Sequence, residues 1–362
     1  MVKNGFLIKG KHKWKVNMKK QLILTFLILY SATSTVIAQQ QEAVDYTPEI
    51  HGTIRAKYEY QPEISSGRFE VRNARFSLTG NVAPIVSYKA EIDLSDEGSI
   101  KMLDAYTRLT PITNFNFTIG QMRVPFTIDA HRSPHQQYFA NRSFIAKQVG
   151  NVRDVGATVG YKFNNGFPIV LEGGLFNGSG LTDQKDFWTK QVNFSAKAQF
   201  FLPEGFNITL SAQKIKPENI SIMMYDAGIY FQSRGWHIEA EYLLKHYAGD
   251  AFDNVNAFDG FICYDLPLRC KLFRKMSFLG RYDYMSDHSN GKAYLDGKEN
   301  IEGALIVNDY QRQRLTGGIT LSLAKPFISD IRINYEKYFY KSGAIVKPSE
   351  QDKFVIEIMT RF

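Results

Sequence analysis

Cysteine is almost missing from this chain. Its 362 residues hold two, Cys263 and Cys270, too few for an exported protein built as a disulfide scaffold. The pair can bridge the hairpin they flank or stay as buried thiols, and the sequence leaves both open. Past residue 40 there is no Pro-rich, Ser/Gly-rich or single-sign charge run, so no linker divides the chain. No stretch there holds a helical period either. No Gly-rich turn follows a strand and opens a helix, which removes the usual phosphate cradle. Catalytic groups are equally scarce. Asp129, His131 and Ser133 are the only local set, and their closeness in sequence does not suit a triad. His131 and His135 are four apart, but Pro134 lies between them and no cysteine or carboxylate completes a metal site. These absences point away from an enzyme and require no cofactor or metal.

A net positive charge is lacking too, once the front of the chain is set aside. The formal charge of +8 suggests a basic protein. Residues 1–38, however, hold seven lysines and no carboxylate. Met18-Lys19-Lys20 precedes the apolar run Leu22–Tyr30, and Val36-Ile37-Ala38 closes the segment before Gln39. This is the layout of a secretory signal peptide over 1–38, with Met18 as the expected true start, and the run is too short to span a bilayer as a helix. Without those seven, 44 cationic side chains fall to 37 against 36 carboxylates. A chain this close to neutral is not expected to bind nucleic acid.

What remains, residues 39–362, is dominated by a period of two. In IHGTIRAKYEY, residues 50–60, Ile50, Gly52, Ile54, Ala56, Tyr58 and Tyr60 alternate with His51, Thr53, Arg55, Lys57 and Glu59. A strand sends alternate side chains to opposite faces, so one face is oily and the other ionic. The pattern recurs through Val192–Leu202, Trp236–Leu244 and Phe354–Phe362. It predicts sixteen strands, near 48–60, 69–82, 85–95, 100–110, 113–123, 154–163, 168–176, 189–202, 206–215, 221–232, 235–246, 257–265, 271–286, 310–323, 328–341 and 351–362.

The connections between these strands alternate in length. Tight ones include Ala83-Pro84, 164–167, 203–205, Ser233-Arg234 and 324–327; long ones include 124–153, 177–188, 247–256, 287–309 and 342–350. Short periplasmic turns facing longer extracellular loops are the mark of an outer-membrane barrel. Both termini then lie on the periplasmic side. A soluble β-sandwich fits less well. The polar faces carry too many charges for a buried core, and the apolar faces are too continuous for solvent. Only a closed barrel satisfies every backbone group in lipid. The expected fold is an all-β transmembrane antiparallel barrel of about sixteen strands. Its many Tyr and Phe residues, 20 and 27, suit aromatic girdles at strand ends.

Five segments carry a family resemblance: Phe69–Gly80 (FEVRNARFSLTG), Asp104-Ala105-Tyr106, Gly120–Phe126 (GQMRVPF), Asn141-Arg142-Ser143 and Arg153–Gly160 (RDVGATVG). In this order they resemble the phosphate-selective porin O and P family of Gram-negative outer membranes. The terminal Phe362 resembles the aromatic that marks barrels for the assembly machinery. Met122-Arg123 stands where the family usually has Phe-Lys, so the cation is kept and its type differs. The resemblance implies a sixteen-stranded trimeric channel without fixing its solute.

The long connection 124–153, with the strand end before it, is the expected functional segment. As the third outer loop of a porin-sized barrel, it is expected to fold into the lumen and narrow it. Arg123, Arg132, Arg142, Lys147 and Arg153 there face only Asp129 and Asp154, an excess of three positive charges. Cationic rings favour anions by replacing lost hydration with charge and directed donors. These five are the expected anion-binding constriction, with Arg123 foremost. Their alternative roles are solvent exposure, pinning the loop to wall carboxylates, or contact with lipid phosphates. Elsewhere on the inner face, residues such as Arg55, Arg75, Arg281 and Arg332 are matched by acids such as Glu91, Glu239, Glu241 and Asp283, and such pairs cancel across a wall. Arg55 and Lys57, beside Glu59, therefore read as wall scaffolding.

The expected function is an outer-membrane porin, a passive diffusion channel preferring anions of the phosphate class. Its expected partners are small anionic or polar solutes, lipopolysaccharide and membrane lipid, the barrel-assembly machinery through Phe362, and two further copies of itself. The alternative is a plugged or surface-binding barrel without selective transport.

Overall fold

The computed structural model describes residues 44–362 except 97–98, 150–151, 182–185, 217–219, 288–308, 326–327, 345 and 347. The expected signal peptide and the start at Met18 lie outside the described residues.

Sixteen strands follow one another: β1 (Glu49–Gln61), β2 (Ser66–Ala83), β3 (Val86–Asp96), β4 (Ser99–Leu109), β5 (Phe115–Arg123), β6 (Arg153–Phe163), β7 (Ile169–Phe176), β8 (Asn193–Phe201), β9 (Phe206–Ile215), β10 (Ile222–Ser233), β11 (Trp236–Tyr247), β12 (Val255–Pro267), β13 (Phe273–Met285), β14 (Arg312–Leu323), β15 (Ser329–Tyr340) and β16 (Lys353–Arg361). Each pairs antiparallel with its chain neighbours, and β1 pairs with β16, closing a barrel. Closure leaves no edge whose N–H and C=O groups would face lipid unbonded.

Alternation sorts the side chains as the period of two predicts. On β1, Ile50 and Ile54 face outward, 69% and 41% exposed, while Arg55, Lys57 and Glu59 point inward and are buried. Two expectations need correction. The outer connections are not uniformly long, because β1 and β2 join through 62–65 alone, with Ser65 at φ 49° completing the turn. Nor are the charged inner faces too polar for burial. Much of the inner wall from β8 round to β1 is buried, because most charges pair with an opposite charge and the segment after β5 covers them. Cys263 is buried and Cys270 exposed, and both are free thiols.

The seam between β1 and β16 is finished by the last residue. Gly52 N donates to the Phe362 carbonyl at 2.7 Å, and Phe362 N donates back at 3.1 Å. A Cβ on Gly52 would come within 2.2–2.6 Å of the Phe362 ring, so glycine lets that ring lie over the first strand.

Glycine is required differently at Gly120 in β5, where φ is +130°. A Cβ there would lie 2.3 Å from the Ala105 carbonyl oxygen and 2.8 Å from Tyr106 Cα, both backbone atoms. Gly120→Ala must push β4 and β5 apart as well as adopt a disfavoured φ, which alone costs about 1–3 kcal/mol. The expected outcome is a lower urea midpoint for the folded barrel, or failure to reach the heat-modifiable form on gels. A native midpoint would contradict this local geometry.

Candidate functional site: an arginine pair on an inward segment

After Arg123 the chain leaves the sheet. Pro125 has no N–H to continue the ladder, and Val124 N closes the base of the segment by donating to the Val152 carbonyl at 3.1 Å. Residues 124–152 are here loop 3, and 124–149 run along inward-facing residues of the opposite wall. Thr127 N donates to Ser211 Oγ at 3.1 Å, and Lys197 Nζ donates to the Thr127 carbonyl at 2.6 Å. The Glu241 carboxylate accepts from the next two backbone groups, Ile128 N and Asp129 N, the latter at 3.3 Å. Thr127 itself sits at φ 57°, a conformation that a β-branched residue adopts only where its surroundings hold it, at about 1–3 kcal/mol.

Further along, Arg132 grips Glu239 with both terminal nitrogens, Nη1 to Oε1 at 2.8 Å. Arg55 donates to the Ala140 carbonyl at 2.6 Å and to Gln137, while also holding Glu357. Ala140 N meets Asn334 Oδ1 at 2.9 Å, and Phe144 N meets Asp283 Oδ1 at 3.1 Å. Asp129 accepts from Ser143 N and Oγ at 3.1 and 2.8 Å. Ser143 in turn caps a short helix, α1 (Phe144–Gln148), accepting from Ala146 N. Apolar contacts back these bonds. Phe126, Phe144, Ile145 and Val149 form one buried cluster with Met224, Leu243, Val255 and Met285 from the inner wall.

The five cations singled out from sequence divide into two groups. Arg132 pairs with Glu239, Lys147 with Glu350 at 3.0 Å, and Arg153 with Asp104 and Glu91 at 2.6 and 3.1 Å. Arg123 and Arg142 are held by carbonyl oxygens instead. Arg123 donates to the His131 carbonyl. Arg142 donates to those of Asp129 and Ala130 at 2.7 and 3.3 Å, and of Arg132 at 2.9 Å. Four consecutive carbonyls, 129–132, thus form a crescent that cradles two guanidinium groups. Among the described residues neither has a carboxylate within ion-pair distance. On the wall of β2 to β5 the inner cations are mostly matched by acids, Lys89 by Glu91 and Asp104 at 2.7 and 2.6 Å. Arg72 is the extra, unpaired residue of a bulge opposite Arg55/Ala56, and Arg75 bonds Asp93 at 2.9 Å.

Burial and neighbouring cations together shift the titratable groups of loop 3. Burial lowers the Arg142 guanidinium, Asp129 opposes that, and Arg75, Arg55 and Arg72 push it further down, to about 10. It stays charged at neutral pH. Burial, then Arg361 and Arg123, push His135 down to about 4, and its Nε2 accepts from Arg361 Nη1 at 2.6 Å. Burial, then Lys197 and Arg123, hold His131 well below the ordinary imidazole range, with Nδ1 3.2 Å from the Val124 carbonyl. The two histidines thus serve different neighbours. Asp129 bonds Ser143 and His131 faces Val124, so Asp129, His131 and Ser133 form no hydrogen-bonded relay.

Glu239, Glu241 and Asp259 bring carboxylate oxygens within 4.8 Å of one another. Their spacing would suit a cation, but the oxygens of Glu239 are taken by Arg132 and those of Glu241 by backbone N–H groups. The trio does not fit a metal. Sequence reasoning placed Glu239 and Glu241 on the inner wall by parity and offered the pinning of the loop to wall carboxylates as an alternative, without singling out these two. Thr127, Lys197 and Ser211 carried no signal at all.

The family model described as phosphate-selective porin O and P matches residues 45–220. No curated protein matches the sequence. Among solved structures, the fold is similar to a loop-deletion form of OmpT, an outer membrane protein of Vibrio cholerae, at 9% identity and TM-score 0.58, covering 88% of this chain and 100% of that one. It is also similar to the outer membrane channel DcaP of Acinetobacter baumannii, at 13% identity and TM-score 0.57, covering 89% and 99%. The anion-selective porin from Comamonas acidovorans is similar at 10% identity and TM-score 0.55, covering 87% and 99%. Residues 45–220, which build β1 to β9 and loop 3, thus match the phosphate-selective porin O and P family, and the closed sixteen-stranded barrel is that of a channel-forming porin of the Gram-negative outer membrane.

Proposed function

We propose that the channel is passive and prefers anions, that loop 3 forms its constriction, and that Arg123 and Arg142 are the charged lip. The observation that carries this reading is the carbonyl crescent. A guanidinium held by carboxylates is neutralised, whereas one held by carbonyls keeps its full charge for a passing solute. Arg132, Lys147 and Arg153, each ion-paired, become scaffold. The open side of the constriction is the wall of β2 to β5, where Arg72 lies within electrostatic reach of Arg142 and Arg75, ion-paired with Asp93 and Glu91, is scaffold as well. The solutes are small anions, phosphate among them, and the protein carries no catalytic step. Its mature form begins after the signal peptide at 38, and its termini face the periplasm. Three copies assemble, as the trimer form of the Vibrio cholerae outer membrane protein does. Phe362 presents the chain to the assembly machinery, and lipopolysaccharide and lipid cover the outer apolar faces.

Reversal potentials in a potassium chloride gradient across a planar bilayer test the lip. The native channel should prefer chloride. Each guanidinium in a cluster with a potential of a few kT contributes on the order of a two- to threefold change in local anion concentration. Arg123→Gln with Arg142→Gln should therefore remove most of the preference. Arg234→Gln with Lys325→Gln, an equal charge change in two exposed turns at the end that carries the termini, should leave it nearly intact. A native channel without anion preference, or equal effects of the two pairs, contradicts the proposal.

Burial and neighbouring cations also predict a pH dependence. His135 has a folded-state pKa of about 4, below the ordinary 6.5. Protons therefore favour the unfolded chain, and the contribution is complete above about pH 6.5 and is lost as pH falls toward 4. His135→Gln keeps an acceptor for Arg361 and cannot titrate. The variant should lose less of its urea midpoint between pH 7 and 4 than the native protein. Equal losses would contradict the placement of His135 against Arg361.

A further inference from the structure

We propose that Glu241, on the wall strand β11, is the positioning residue for the constriction, acting through the backbone of loop 3 rather than through its charge. This rests on the reading of Arg123 and Arg142 as the selective lip. The backbone at Thr127 is strained. A threonine at φ 57° persists only where its neighbours over-determine the backbone, and here they do. Ser211 takes Thr127 N, Lys197 takes the Thr127 carbonyl, and Glu241 takes both Ile128 N and Asp129 N. Three successive N–H groups are thereby turned toward the wall.

The carbonyls of 129–132 are left for the two arginines, one contact for Arg123 and three for Arg142. Glu239 fixes the far end of the same stretch through the Arg132 side chain. Two wall carboxylates thus neutralise neither lip arginine. They orient the four-residue crescent that presents both. Glu241 is 1% exposed and its oxygens face these N–H groups, so no solute need touch it.

Positioning and charge predict opposite signs. If Glu241 acted as a negative charge in the lumen, removing it would raise anion preference. If it positions the crescent, Glu241→Ala frees 128–130, lets Arg142 withdraw, and lowers the preference. Glu241→Gln loses the same charge but keeps a carbonyl acceptor for one N–H. We expect Glu241→Ala to lower the chloride-over-potassium permeability ratio by about twofold or more, the contribution of roughly one guanidinium. Glu241→Gln should stay nearer the native value. In an Arg142→Gln background, Glu241→Ala should have little further effect.

A rise in the ratio for Glu241→Ala, no change, or equal effects of Ala and Gln would overturn the proposal. Where the alanine barrel does not assemble, Glu241→Gln decides alone: a ratio at or below native supports positioning, and a rise overturns it. Open-channel current noise separates this inference from the selectivity reading beneath it. A freed crescent should flicker in Glu241→Ala whatever ion the channel prefers. Native noise would refute positioning, while a native channel without anion preference would refute only the selectivity reading.

Discussion

Inside a bilayer an unpaired peptide N–H or C=O costs several kcal/mol, so a sheet that crosses it must have no edge. The sixteen strands meet this by joining Glu49–Gln61 to Lys353–Arg361, with Gly52 and Phe362 exchanging hydrogen bonds at the seam. Closure gives every strand one face toward lipid and one toward an enclosed space. It also forces the ionic residues of alternate positions into that space, where they must find partners or water.

The enclosed charges solve this in two ways around the circumference. From β8 to β1, loop 3 lies against the wall, and most of the charges beneath it are buried and hydrogen-bonded, while Asp259 Oδ1 and Arg281 Nη2 are left without a hydrogen-bond partner. Arg314 holds Asp283 at 2.8 Å and also donates to the Arg142 carbonyl at 2.7 Å. Burying a pair is tolerable only when its remaining bonds are met in this way. On the β2 to β5 side the inner residues are less covered, with Arg75, Lys89 and Arg108 partly exposed. In the function we propose, this asymmetry is what gives the constriction its positive charge. Acids serve as anchors on one wall, and carbonyls hold the cations that face the other.

Much of the fold was legible in sequence, because a period of two reports directly which face a residue joins. IHGTIRAKYEY gave a strand, its two faces and the scaffolding role of Arg55, which the bonds to Glu357 and Ala140 bear out. Strand limits drifted where the rule weakens. β8 starts at Asn193 rather than near 189, and β12 runs Val255–Pro267, beyond 257–265 on both sides. The site was less legible. Its charge excess could be counted, but which arginines were already paired depends on partners far along the chain. Glu239 lies 107 residues from Arg132, and Glu350 lies 203 from Lys147. The inner apolar residues Met224, Leu243 and Met285 were hidden for the same reason, since only the docked loop makes them a core. The helix α1 was too short to show a period.

Locating a permeant anion in the channel tests the carbonyl-held constriction most directly. Crystals of the protein soaked in bromide and measured at the bromine edge should show an anomalous peak between the guanidinium groups of Arg123 and Arg142 and the wall carrying Arg72 and Arg75. That peak should vanish in Arg123→Gln with Arg142→Gln. Bromide confined to the ion-paired residues Arg132, Lys147 and Arg153, or to the outer surface alone, would contradict it.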